Sequence, residues 1–365
     1  MPGDGIGPEV VTAACRVLEA SGVALRWDVA AIGHEPLARE GTPLPATSVA
    51  SLRRTGTALK GPVTTPMTGH RSVNVSLREE LGLFVQVRLS RSLPGLPTPY
   101  HGVDLAIVRE ITEDLYAGVE FASGSPEAEA VRECINNNGF ALRAGSGLSV
   151  KAVSVQACRR ASEFAFGWAR AQGRRRVTIV HKATNIRCTD GLFRRIALEV
   201  AEAFPDLEVD DCLVDNAAAR LVRRPQEFDV LFTQSVFGDI LSDLAAGLVG
   251  GVGVAPGATF GDRTSIFEPV HGSAPKHAGR DRVNPLATTL SGVMLLRHLG
   301  EADAADRIEA AVVEVLGAGV RTYDVAGPGD PVCSSSAFTD ALVDAIGPPD
   351  AAAEPAAPRG AGASP

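Results

Sequence analysis

Aromatic side chains are scarce in this chain. They make up 5% of the 365 residues, with three tyrosines and two tryptophans, so an aromatic-rich binding surface is not expected. A surplus of cations is also missing: the net charge is -8 and the pI about 5.5, which argues against nucleic acid as the main partner. Cysteines at 15, 134, 158, 188, 212 and 333 are scattered without a C-x-x-C pair, which argues against a zinc knuckle or redox couple. That usage suits a reduced, soluble, cytoplasmic protein. No apolar run is bounded like a membrane span, and no basic leader with an apolar core precedes the first motif, so neither a membrane nor a secretory signal is expected. No internal repeat is visible.

What is present is an Ala- and Gly-rich chain, 45% hydrophobic and long enough for about one to three domains. The runs 103–110, 177–181 and 228–233 read as strands, and 154–172, 188–205 and 290–300 as amphipathic or apolar helices. The first of these helices groups Ala157, Ala161, Phe164, Ala165 and Trp168 on one side. Thr189 or Asp190 is a candidate start cap for the second. This alternation predicts an α/β fold. Residues 121–151 lack strong periodicity and read as an excursion, and the Pro/Ala/Gly-rich tail 348–365 reads as disordered.

Several segments bring chemistry-bearing residues together. Asp239 and Asp243, in FGDILSDLAAGLVGG, are four apart in a helical stretch, so their carboxylates share a face. Facing acids call for a neutralising cation, and Mg2+ or Mn2+ suits oxygen donors, although a solvated face gives the same spacing. Asp215, in VDNAAARLV, is an upstream acid able to complete the set. PGDGIGPEV (2–10) places three glycines in a turn where backbone approaches something closely. Ser72, Asn74 and Arg78 lie near one another in sequence, and Arg88 and Arg109 fall at strand-like runs. Converging arginines fit a polycarboxylate, and surface ion pairs explain them equally well at this point. Lys182, after the strand at 177–181, is a candidate proton donor or clamp, with the Tyr116 phenol a candidate exchange partner. The loop HGSAPKHAGRDRVNP, carrying His271, Lys276, His277 and Arg280, suits a phosphate-bearing nucleotide.

GDGIGPEV, SVNVSLR, RE-x-TE-x-LYAG, GDILSDLAAGLVGG and HGSAPK-x-AG-x-x-x-VNP occur in that order from Pro2 to about Ala345. Together they resemble the β-decarboxylating dehydrogenases, the family of isocitrate, isopropylmalate and homoisocitrate dehydrogenases, with KGPVTTP and SVNVSLREELGLF most similar to bacterial isocitrate enzymes. The resemblance implies a non-Rossmann α/β fold. Its large domain would comprise 1–83 and 250–345, and its small domain 84–249 with a dimer clasp near 122–152, the active site lying in the cleft between them. It implies Tyr116, Lys182 and Asp215 as catalytic residues. Ser72, Asn74, Arg78, Arg88 and Arg109 would bind the substrate carboxylates, and Asp215, Asp239 and Asp243 the metal. His271, Gly272, Lys276, His277, Val283, Asn284 and Tyr323 would hold the cofactor. A homodimer would share its sites, with Lys182 and Asp215 supplied by the partner subunit.

Lys276, His277, Val283 and Tyr323 resemble the pattern of NADP enzymes more than that of NAD enzymes, although an arginine expected four residues after the tyrosine is Gly327. Family members carry a strand before PGDGIGPEV where only Met1 stands here, and a misassigned start codon is the expectation. Ile111, Thr184 and the pair Gln234 and Ser235 replace polar or Pro/Met-Asn residues near the cleft. They open the alternative of a related 3-substituted malate: homoisocitrate, isopropylmalate or a phosphonate analogue. Tyr116, Lys182 and the three aspartates argue against a non-catalytic regulatory subunit.

Overall fold

A computed structural model describes residues 1–64 and 72–347. The tail expected to be disordered lies outside the described residues. In chain order the strands are β1 (Thr57–Leu59), β2 (Leu83–Arg91), β3 (Asp104–Glu110), β4 (Glu120–Phe121), β5 (Leu148–Ser149), β6 (Arg176–His181), β7 (Glu208–Leu213), β8 (Val230–Thr233), β9 (Pro256–Gly261) and β10 (Ser265–Pro269). The helices are α1 (Gly7–Ala20), α2 (His34–Glu40), α3 (Ala46–Thr55), α4 (Val73–Leu81), α5 (Pro126–Asn137), α6 (Val155–Ala171), α7 (Asp190–Ala201), α8 (Val214–Arg223), α9 (Ser235–Leu248), α10 (Leu286–His298), α11 (Ala302–Gly317) and α12 (Ser335–Ile346).

Eight strands form one sheet in the order β1-β10-β9-β2-β3-β8-β6-β7, while β4 and β5 pair by themselves. β10, β9, β2 and β3 run antiparallel to their neighbours in that series; β3, β8, β6 and β7 are mutually parallel. A boundary at 83/84 and 249/250 cuts this sheet once, between β9 and β2. Alternation along β3 divides the core. Leu105 and Ile107 pack with α1 and α8 through α12 on one face, and Ala106 and Val108 with α6 and α7 on the other. Both faces are covered, which is why β3 and β8 read as near-continuous apolar runs.

Within the excursion, α5 buries only Ala128, so it leaves no hydrophobic period to read. It is capped by Ser125, whose hydroxyl accepts from the Ala128 N–H at 3.1 Å. Thr189, the proposed start cap of α7, makes no capping bond, and Asp190 is turned inward instead. Met1 lies beside β1: its ammonium donates to the Leu59 carbonyl at 2.8 Å, and its carbonyl accepts from Gly61 N–H at 2.9 Å. The Met1 side chain is buried among Ala30, Ile32, Leu52 and Leu77.

The glycine turn before α1 is packed against the protein's own backbone. Ile6 N–H donates to Ser273 O at 2.9 Å, and buried Asp4 accepts from the His34 and Thr64 amides at 2.7 and 2.8 Å. Gly5 has φ +59°, and a Cβ there would lie 2.0 Å from Ser273 O. Gly5→Ala should therefore destabilise the fold by about 2 kcal/mol or more, read as a lower midpoint in denaturant with an unchanged slope.

Candidate functional site

Strand register assembles the site. Gln86 is paired with Arg109 across β2 and β3 and with Thr259 across β2 and β9, so these three share a face, joined by Arg88 two residues along. This polar patch interrupts an otherwise apolar face at the end of β3, and α9 lies over it. Closeness depends on Gly238: a Cβ there would meet the Arg109 Cβ at 2.5 Å. Arg109 is 1% exposed. It donates to Asp239 Oδ1, to Ser235 Oγ at 3.2 Å and to Gln86 Oε1 at 3.4 Å. Arg88 donates to Ser242 Oγ at 2.7 Å and Asp243 Oδ1 at 3.0 Å, and lies 3.3 Å from Asp239. The Tyr116 hydroxyl donates to Asp239 Oδ2 at 3.0 Å.

Two guanidinium groups, those of Arg88 and Arg109, converge on two carboxylates, and Arg78 lies in the same field with Glu268 as its main acidic neighbour. Burial, then the neighbouring Arg88, lowers the Arg109 pKa to about 10, and burial likewise lowers that of Arg78. For Asp239, burial pushes upward, but Arg109 and Arg88 outweigh it and hold the carboxyl below its usual range. Asp243, farther out, is raised by burial and by Asp239. Clustered buried guanidinium groups of this kind suit an anionic ligand. Asn74, on α4 with Arg78, has a buried Oδ1 without a partner among the described residues.

Lys182 and Asp215 form a separate group. The Lys182 ammonium donates to Asp215 Oδ1 at 2.7 Å near the start of α8, lowering the Asp215 pKa. Within one chain Lys182 thus meets Asp215, and Tyr116 meets Asp239; the direct Tyr116–Lys182 exchange considered from sequence is not formed. Among the described residues, no three His, Cys, Asp or Glu side chains gather in a set able to hold a metal. Asp239 and Asp243, one helical turn apart, are oxygen donors of the kind Mg2+ or Mn2+ accepts.

The cofactor candidates line a turn before α10. Lys276 and His277 sit in a short 3-10 turn, Pro275–His277. The His277 and Tyr323 rings are 5.8 Å apart, and Val283 and Asn284 are buried beneath. Asn284 donates to Asp324 Oδ2 at 3.1 Å. His271 Nδ1 is 3.0 Å from Gly272 O, while its Nε2 is buried without a partner and burial lowers the ring pKa. With Nδ1 donating to that carbonyl, the neutral ring leaves Nε2 as an acceptor, which fits a hydroxyl or amino donor of a nucleotide cofactor.

Sequence reasoning missed two supporting networks. In one, buried Lys60 pairs with Glu268 at 2.6 Å; Glu268 accepts from Thr259 at 3.2 Å and from Gln86 at 3.4 Å, and Gln86 accepts from Arg109. Burial pushes the Glu268 carboxyl up, and Lys60 outweighs it. In the other, Lys151 donates to Asp190 Oδ1 at 2.6 Å and Gln234 Oε1 at 3.0 Å, and lies 3.4 Å from Asp114. Asp190 also accepts from Lys182 N–H at 2.7 Å, and Asp114 from Val236 N–H at 3.0 Å at the start of α9. One ammonium thus ties the Lys182 turn, the entry to α9 and the short turn Leu115–Ala117 that carries Tyr116. The visible signal was limited to polar residues at strand ends; the partners are 39 and 83 residues from Lys151.

The three departures are accommodated. Ile111 is buried, Ser235 accepts from Arg109, and Gln234 accepts from Lys151, whereas Thr184 donates to its neighbour Asn185 at 2.9 Å on the surface. A concavity of about 940 Å³, lined by Trp168, Arg174, Phe260 and His298 among others, includes none of the candidate site residues. Converging charge, rather than cavity size, locates the site.

The fold and this charge arrangement define an acid- and arginine-lined dehydrogenase site. Residues 1–346 match the isocitrate/isopropylmalate dehydrogenase family, and the chain belongs to it. Family membership makes it an NAD(P)-dependent decarboxylating dehydrogenase, as the resemblance implied. It is 43% identical to the crystal structure of isocitrate dehydrogenase from Methylococcus capsulatus, with TM-score 0.86, covering 94% of this chain and 97% of that one. It is 40% identical to isocitrate dehydrogenase [NADP] of Thermus thermophilus, over 95% of this chain and 67% of the relative. Identity is also 40% to isocitrate dehydrogenase [NAD] catalytic subunit 5 of Arabidopsis thaliana, over 94% and 86%. No helix among the described residues is long and apolar enough to cross a membrane, and all six cysteines are free.

Two outcomes follow for stability. Lys151→Met leaves Asp190 and Asp114 uncompensated and should cost about 3–5 kcal/mol in denaturant unfolding; combining it with Asp190→Asn should cost less than the sum of the singles. Asp211 accepts from Arg194 at 2.9 and 2.8 Å and contacts His181 Nε2 at 2.9 Å, and these partners lower its pKa to about 2. A folded pKa below the unfolded value gives stability above about pH 4 that is lost as pH falls toward 2. An Asp211→Asn variant should show a flatter acid limb in pH-dependent melting.

Proposed function

We propose that this chain converts isocitrate to 2-oxoglutarate by oxidative decarboxylation with NADP and Mg2+ or Mn2+. The observation that carries the reading is the union of three arginines with a polar start to α4. Arg78, Arg88 and Arg109 supply bidentate donors for the two carboxylates nearest the reacting carbons. Ser72 and Asn74 lie where the substrate's remaining substituent would reach. The buried amide of Asn74 disfavours an isopropyl group, and its Nδ2–H groups are donors suited to a hydrated or carboxylate-bearing arm.

When bound, NADP supplies the hydride acceptor and the metal the Lewis acid that stabilises negative oxygen on the substrate. Asp239 and Asp243 would hold that metal, and Asp215 of a second copy would complete the oxygen set. The proton of the substrate 2-hydroxyl passes to Asp215 or a water, which the Lys182 ammonium holds in place. Arg78, Arg88 and Arg109 keep the carboxylates oriented while the carbon–carbon bond to the departing carboxylate breaks. Tyr116 delivers a proton to C3, and its half-exposed hydroxyl already rests on Asp239. Burial and the Asp239 charge raise the phenol pKa, which keeps the proton on the donor at neutral pH. The separation of Lys182 and Asp215 from Asp239 in one chain supports a homodimer with shared sites. The free cysteines suit a cytoplasmic setting.

Initial rates of NADPH and NADH formation with Mg2+ should give the highest kcat/KM for isocitrate with NADP, against homoisocitrate, isopropylmalate, malate and tartrate. A clear preference for another acid would replace the substrate assignment. Tyr116→Phe should slow overall decarboxylation at least about tenfold while leaving hydride transfer to the 3-carboxy-2-keto acid much less affected; selective collapse of hydride transfer would remove the proton-donor role.

A further inference from the structure

The turn before α10 carries cations that no carboxylate neutralises. Lys276, Arg280 and Arg282 make no ion pair among the described residues. The acid between the two arginines, Asp281, is committed elsewhere: it accepts from the Ser336 N–H at 2.8 Å and the Ser336 hydroxyl at 2.5 Å, and its carbonyl accepts from Ser335 N–H at 3.2 Å. α12 thus anchors the turn and leaves the flanking guanidinium groups available.

Arg282 has a defined place. Its guanidinium carbon lies 4.2 Å from the centroid of the Tyr323 ring, and the His277 ring approaches the same ring at 5.8 Å with a 40° tilt. His277 Nδ1 is buried without a partner. Stacking fixes the plane of a guanidinium and leaves its edge N–H groups free for a bidentate acceptor. Position 327 adds no cation: the Gly327 N–H donates to Asp330 at 3.0 Å, and Arg321 neutralises that acid at 2.7 Å. An adenosine carrying a phosphomonoester would find an aromatic platform, an oriented guanidinium and an adjacent lysine here.

We propose that Arg282 is a specificity-determining residue for the 2′-phosphate of NADP, supplying from the Tyr323 face the cation that Gly327 does not. The inference rests on the NADP reading above and is tested by binding, apart from turnover. Because Arg282 is exposed, Arg282→Gln should fold normally, which a thermal melt checks. Titration calorimetry on the full chain would compare adenosine 2′,5′-bisphosphate with adenosine 5′-monophosphate. Wild type should bind the bisphosphate more tightly. Arg282→Gln should weaken the bisphosphate by about tenfold or more and leave the monophosphate within about twofold, and Arg282→Lys should recover part of the loss. Equal weakening of both ligands would reduce Arg282 to a support for Tyr323 and overturn the proposal, as would no weakening of either. A wild-type protein without preference for the bisphosphate would overturn the NADP reading along with it.

Discussion

The ion pair between Arg109 and Asp239 is the constraint on which the rest of the site depends. A guanidinium buried at the end of β3 requires compensation, and α9 supplies it only because Gly238 lets the helix lie on the arginine stem. Once that contact forms, Asp239 is fixed, Asp243 follows one turn later, and Tyr116 has an acceptor to rest against. Arg88 then serves both acids. The carboxylate pair that seemed to demand a divalent cation is already balanced within the chain.

Much of the local structure was legible because it depends on short-range pattern. Asp239 and Asp243 reveal their shared face by spacing, α6 by its apolar stripe, and β3 by its apolar run ending in arginine. α5 was not legible, since a helix burying only Ala128 has no period to betray it. The supporting networks were not legible for a different reason. Lys60 with Glu268, and Lys151 with Asp114, Asp190 and Gln234, join residues distant in sequence, and such pairs are selected by the sheet order rather than by neighbours. The start of α7 shows the same effect: Asp190 looks like a cap but is recruited inward by Lys151.

The positions that depart from family expectation show how a site tolerates substitution. Ser235 accepts from Arg109, and Gln234 extends the Lys151 network at the entry to α9. Ile111 joins the core beside the turn that carries Tyr116. Each change is absorbed by a local partner, so the charge pattern that receives the substrate is left intact.

The central claim is that one chain holds two half-sites and that a working metal site needs acids from two copies. Mn2+ binding to mixed dimers tests this most directly. Asp215→Asn and Asp239→Asn chains would each be prepared alone and then mixed by denaturation and refolding. The account predicts weak Mn2+ binding by each variant alone and recovery of wild-type affinity at about a quarter of the sites after mixing, the random value for a two-fold dimer. Mixtures that bind no better than the separate variants, or an Asp215→Asn protein that binds Mn2+ as tightly as wild type, would contradict it.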